Sequence, residues 1–215
     1  MTTDKIVKPD GSSVALNGVS NPADFIIANG DAYVTSEVKN CVYKVDLNTG
    51  NGTLFAGNDT TRGNVDGAAL DARFKAPRGI TFDAGTQALY IADSGNLRIR
   101  KVSLPGGAVS TIAGSDTPAK VDGTGTAAGF GTPYDITSDG AGNLYVADLA
   151  ANAIRKVTTA GVVTTIAGNG TRSSVDGTGD AVTFSFPSAV AYGVVNGKPV
   201  IWVGEGTKVR VVEGW

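Results

Sequence analysis

One segment recurs three times along this chain and limits what the chain can fold into. It reads "VDGAALDARFKAP" at Val65–Pro77, "VDGTGTAAGFGTP" at Val121–Pro133 and "VDGTGDAVTFSFP" at Val175–Pro187. The Asp-to-Phe step is eight residues in each copy and the Phe-to-Pro step is three. With Pro22, the prolines Pro77, Pro133 and Pro187 mark units of 55, 56 and 54 residues. A fixed period of this length is the mark of a repeat architecture, in which each unit buries its apolar face on its neighbours.

After each proline comes a run such as "PRGITFDAGTQALYIADSGNLRIRKVSLPGGAVSTIAG" or "PYDITSDGAGNLYVADLAANAIRKVTTAGVVTTIAG". Short β-branched and aromatic stretches alternate with Gly, Asn and Asp turns, which reads as strands joined by hairpins. In the second unit the strands are expected near Gly79–Phe82, Ala88–Ala92, Arg98–Ser103 and Val109–Ala113. No sustained 3.6-residue apolar period is present, so little helix is expected. Four antiparallel strands per unit at this spacing predict an all-β fold, a β-propeller of four four-stranded blades. The blades are placed at 21–57, 77–114, 133–168 and 187–215 of one domain. The last unit holds three strands, near Ser188–Tyr192, Val200–Val203 and Lys208–Val212. The alternating segment "SSVALNG", 12–18, is expected to supply its fourth and close the ring. The alternative is half of a larger ring completed by a second chain.

The runs "GITFDAGTQALYIADSGNLRIRKV" and "GNLYVADLAANAIRKV", with the "TIAG…DG…F..P" joint, resemble the NHL-repeat family of β-propellers. The resemblance is strong in units two and three, fair in one and partial in four. That family includes protein-binding and RNA-binding propellers and a few metal-dependent enzymes, so the resemblance implies fold more firmly than function.

Composition narrows the function. The chain has no histidine and one cysteine, Cys41, which removes the usual general base, the Ser-His and Cys-His nucleophile pairs, a thiolate zinc site and an internal disulfide. A net charge of −2 argues against a nucleic-acid partner. No apolar run reaches membrane-spanning length. The start "MTTDKIVKPDGSSVALNG" does not resemble a secretory signal, so a cytoplasmic or virion setting is expected, or an extracellular one if a leader has been removed.

The candidate residues fall in three groups. Asp66, Gly67, Phe74, Asp122, Gly123, Phe130, Asp176, Gly177 and Phe184 read as a structural joint, the Asp bonding its local backbone turn and the Phe anchoring between blades. The competing reading, a calcium loop with Asp180 added, is disfavoured because its acids are sparse, and no cofactor is expected. Asp93 and Asp148 end the second strands and are candidate partner-binding acids at a channel mouth, set against a turn-capping role. Arg62, Arg73 and Arg172 lie on linkers of about 20 residues and are candidate partner-binding cations, since long loops carry function. The basic stretches Arg98–Lys101 and Ile154–Lys156 read as a solvated outer face. Together these predict a non-catalytic interaction or scaffold module that binds a protein partner, or assembles with itself, through the long-loop face. A small-ligand or carbohydrate site in the channel is the alternative. A metal-dependent hydrolase or lyase is disfavoured by the lack of histidine.

Overall fold

The computed structural model describes residues 5–7, 11–178 and 181–215. Its core is four antiparallel sheets, one per repeat. Blade one is β3 (Pro22–Ala28), β4 (Asp31–Ser36), β5 (Cys41–Asp46) and β6 (Gly52–Gly57), preceded by β1 (Lys5–Val7) and β2 (Ser13–Ala15). Blade two is β7 (Pro77–Asp83), β8 (Ala88–Asp93), β9 (Arg98–Ser103) and β10 (Val109–Gly114). Blade three is β12 (Pro133–Ser138), β13 (Asn143–Asp148), β14 (Ala153–Thr158) and β15 (Val162–Ala167), with the short β11 (Gly123–Thr124) added at its outer edge. Blade four has three strands, β16 (Pro187–Val195), β17 (Lys198–Glu205) and β18 (Lys208–Glu213).

Pleating explains how the blades adhere. Along β8, Leu89 and Ile91 face blade one while Ala88, Tyr90 and Ala92 face blade three, and all five are fully buried. A strand buried on both faces needs the near-continuous apolar run "ALYIA" that the sequence supplies. The joint phenylalanines fill the wedges between sheets. Phe74 lies between blades one and two, Phe130 between two and three, and Phe184 between three and four, each with no exposed surface. The inner strands pack in series, β3 on β7, β7 on β12 and β12 on β16. Packing of that extent does not rejoin β16 to β3 among the described residues.

The segment expected to complete blade four lies elsewhere. Ser13–Ala15 pairs with Lys5–Val7, and Asn17 exchanges backbone hydrogen bonds with Gly50 and Gly52 on the outer edge of blade one. Ile6 is buried there against Ala32, Val34 and Tyr43. The reason is visible in the later joints. The segment before each blade folds back onto the outer edge of that same blade: Gly67 bridges Val109, and Gly123 pairs with Val163. Residues 12–18 precede blade one and obey the same local rule, so they cap blade one, and among the described residues no strand pairs with the outer edge of β18.

Candidate functional site

The acids and basic runs singled out from the sequence form a repeated buried clamp. Arg100 on β9 donates from one terminal nitrogen to Asp93 Oδ2 at 2.7 Å and to the Arg73 carbonyl at 3.1 Å. Its other nitrogen donates to Asp66 Oδ1 at 2.7 Å and to the Val65 carbonyl at 2.9 Å. Its guanidinium lies 5.1 Å from the centre of the Phe74 ring. Blade three repeats this with Arg155, Asp148, Asp122, Phe130 and the carbonyls of Gly129 and Val121. Blade four repeats it with Arg210, Glu205, Asp176 and Phe184. Blade one has no such arginine: Tyr43 stands at the matching place on β5 and Ser36 at the acid position.

These positions correct two expectations. Arg100 and Arg155 carry the basic stretches yet are fully buried, so those stretches are not a solvated face. Asp93 and Asp148 are fully buried too, which takes both out of reach of a partner. Asp148 accepts the Gly131 and Thr132 N–H groups as well as Arg155. Burial is the largest influence on the Asp93 and Asp148 carboxyls and raises them, opposed by the arginines and by backbone N–H donors. Asp66 and Asp122 do not close local turns. Asp66 accepts the Thr111 N–H at 3.0 Å and the Thr111 hydroxyl, and Asp122 treats Thr165 the same way. Burial disfavours their ionisation, but the threonine and arginine donors outweigh it and hold both carboxyls below the usual range. These oxygens tie the joint to an outer strand and to the buried arginine; Asp180 lies outside the described residues. Gly67 and Gly123 supply the backbone that pairs with the outer strands, and Gly177 sits against Ala181.

The linker cations differ from one another. Arg73 folds back onto the carbonyls of Leu70 and Ala72 in its own loop. Arg62 is exposed. Arg172 is exposed and stacks 4.0 Å over the ring of Phe186, itself partly exposed just before Pro187.

The polar surface onto which all four blades converge is a cleft of about 280 Å³ at the starts of the inner strands. Blade one contributes Asp24 and Glu37, blade two Arg78, blade three Tyr134 and Asp135, and blade four Ser188. Arg78 donates to the Tyr134 hydroxyl at 2.7 Å and pairs with Glu37. Two carboxylates lace the inner strands together beneath it. Asp24 Oδ2 accepts the Ile80 N–H at 2.9 Å, and Asp135 Oδ2 accepts the Val190 N–H at 2.8 Å. Asp135 fits because its neighbour is Gly79: a Cβ there would fall 2.7 Å from the Asp135 Cα. Burial, with a smaller push from Asp24, raises Asp135 from 3.8 to about 6, against the pull of the Val190 N–H. Burial also raises Asp24.

The sequence reading missed Arg78, Tyr134 and Ser188. A signal was present: they occupy the position directly after the repeat proline, where the four units carry Ala23, Arg78, Tyr134 and Ser188 and the repeat breaks. Packing that recurs cannot be what sets residues that do not.

Raised acids give a pH dependence of fixed sign. A native carboxyl above its unfolded value binds protons more readily in the folded state, so stability is greatest when it is protonated and falls as pH rises through the native value. Between pH 4 and pH 7 Asp135 is expected to cost about 2 kcal/mol of stability, with Asp24 acting in the same direction. Urea unfolding across this range should show the decline, and Asp135→Asn should flatten it; an unchanged slope would remove Asp135 as its source.

No family model matches the chain. NHL repeat-containing protein 2 of Gallus gallus is 38% identical over 88 residues, covering 40% of this chain and 12% of that protein. A solved auxiliary nutrient binding protein from Bacteroides ovatus superposes with a TM-score of 0.66 at 22% identity, over 91% of this chain and 48% of that one. Virginiamycin B lyase from Staphylococcus aureus superposes with a TM-score of 0.61 at 19% identity, over 94% of this chain and 55% of that one. The fold is a β-propeller. The relatives are longer proteins: this chain spans 12–16% of the curated ones and about half of these two structures. The solved neighbours include both a lyase and binding proteins, so fold likeness carries no reaction with it.

Proposed function

We propose that this propeller is a non-catalytic interaction module that grips a protein partner at the cleft where the inner strands begin. The observation that carries this reading is the Arg78–Tyr134–Glu37 cluster, with Arg78 and Tyr134 on the inner strands β7 and β12 and Glu37 just after β4, where all four blades meet. Arginine and tyrosine dominate the energetics of protein interfaces because each offers large area and directed hydrogen bonds at low entropic cost. Arg172 on Phe186 adds a second cation and aromatic two residues before Ser188. The cleft lies on the face to which the linkers deliver the chain, so the long-loop face is retained while its anchors change.

Two features favour binding over chemistry. The clamp carboxylates Asp93 and Asp148 are buried against arginine, leaving no unpaired acid at those positions. Among the described residues no three Cys, Asp or Glu side chains gather to hold a metal. The cleft, at about 280 Å³, falls just below the usual range of small-molecule sites, which favours a protein surface as occupant.

Photo-crosslinking from position Ser188 tests this. Arg78→Glu combined with Tyr134→Ala is expected to abolish capture of the partner, while Lys101→Glu on a blade surface leaves it intact. Capture that survives the cleft substitutions would end the reading.

A further inference from the structure

The charges of this molecule are divided by face. Strands alternate in direction within each blade, so the linkers, the turns after β4, β8, β13 and β17 and the starts of the inner strands share one face. Lys39, Arg62, Lys75, Lys120 and Arg172 stand there, and none forms an ion pair among the described residues. The acids of the loops on that face are mostly engaged: Glu37 pairs with Arg78 and Asp116 with Arg98, while Asp59 is exposed. The opposite face carries Asp31, Asp46, Asp139 and Glu213 against Lys44 and Lys198. The net charge of −2 conceals this division, and it is the local field that a partner meets.

Arg172 is the best-defined cation of the linker face. Its guanidinium lies 4.0 Å from the centre of the Phe186 ring, which is 39% exposed. Phe186 has a left-handed backbone, φ 54°, uncommon for a bulky residue, and Asn152 Oδ1 accepts its N–H at 3.1 Å. Asn21 and Ala76 share this conformation just before their repeat prolines, but neither brings a ring to it. Strained residues of this kind persist where their surroundings hold them, and they gather at binding sites. The stacked guanidinium is fixed in plane, and among the described residues no acceptor is bonded to its N–H groups. Lys120, on the linker before β12, reaches the same stretch of chain: its Nζ donates to the Gly168 carbonyl at 3.2 Å. Successive linkers thus bring two cations to residues 168–172. A guanidinium fork with an ammonium nearby suits a carboxylate.

We propose that the linker face docks an acidic polypeptide segment, one carboxylate of which is held by Arg172 and Lys120. The inference rests on reading this face as a protein-binding surface, and it names the chemistry of the partner. Nucleic acid is the less suitable polyanion. The accessible rings Tyr134 and Phe186 are already stacked under Arg78 and Arg172, at 4.3 and 4.0 Å, which takes from them a face on which a base would stack. Glu37, Asp59 and Asp116 also interrupt the basic surface that a phosphate backbone would follow.

A fluorescein-labelled peptide of about ten glutamates is the probe. Titrated with the intact protein at low salt, it is expected to give saturable anisotropy that weakens as sodium chloride is raised. Arg172→Glu is expected to weaken binding about tenfold, while Lys198→Glu on the opposite face leaves it unchanged. Two milder variants separate a built site from diffuse attraction. Arg172→Lys keeps the charge and loses the fork; Phe186→Asn keeps a residue that tolerates the left-handed backbone and loses the ring. Each is expected to weaken binding about threefold with net charge unchanged. No saturation at millimolar protein, indifference to both milder variants, or an equal response to Lys198→Glu and Arg172→Glu overturns the proposal. Tighter binding of a single-stranded RNA of equal charge, lost in Arg172→Glu, would assign the face to nucleic acid and overturn it too. Partner capture from Ser188 that is abolished by Arg78→Glu with Tyr134→Ala but indifferent to Arg172→Glu would leave the cleft reading standing and end this one.

Discussion

Arg100→Met is expected to cost about 3–5 kcal/mol of folding stability, read from the urea midpoint at pH 7. The size of the effect comes from what stays behind. Asp93 and the Arg100 side chain both have no exposed surface, so removing the guanidinium strands a carboxylate with no water to solvate it. The Val65 and Arg73 carbonyls lose donors in the same step, and Asp66 loses its ion pair. Methionine keeps most of the volume over Phe74, which isolates the charge from packing. Asp93→Asn added to Arg100→Met should recover part of the loss, because the buried charge is then gone on both sides. Arg100→Lys should remain costly, since a single ammonium cannot span Asp93, Asp66 and two carbonyls. A loss below about 1 kcal/mol for Arg100→Met would show that the clamp does not hold the blade.

Phe130→Ala is expected to cost about 3–5 kcal/mol, measured in the same way. The ring is fully buried between blades two and three, beside Tyr90, Ile99 and Val146, with the Arg155 guanidinium centred 5.2 Å from it. Two sheets meeting at an angle leave a wedge that neither can fill, and the linker brings in the one large side chain that does. Its removal leaves a cavity walled by strands too rigid to collapse. Val121→Ala, at a 47%-exposed position on the same linker, serves as the control and should change stability little. Stabilities of domains this size are commonly 5–15 kcal/mol, so either change consumes a large share of the total.

The clamp recasts a part of the sequence that looked like surface. Arg98–Lys101 and Ile154–Lys156 are charged runs, and a charged run ordinarily marks a solvated face. What overrides the prior is a partner: Arg100 finds Asp66, 34 positions earlier, and Arg155 finds Asp122, 33 positions earlier. The repeat held that information in the near-constant separation of Asp and Arg, read there as two unrelated motifs. The strands were legible because pleating and hairpin chemistry are local: β8 and β9 fall within a residue of the expected bounds. The cleft was not legible, since Arg78 and Tyr134 are 56 residues apart and meet only when β7 and β12 pack side by side.

The sequence by itself determined the period, the four-strand blade and the phenylalanine wedge, because all three follow from short-range alternation and fixed spacing. Tertiary structure decided where the N-terminal segment goes. Residues 12–18 alternate as a closing strand should, but the chain before each blade is tethered to that blade, and the nearest free edge was on blade one. It also decided which acids face water. Asp66 and Asp176 hold the same place in the joint, yet the first is half covered by Thr111 of β10 and the second stands at an edge that no described strand of this chain covers. Burial depends on what arrives from elsewhere in the chain, and that is a property of the assembled sheets.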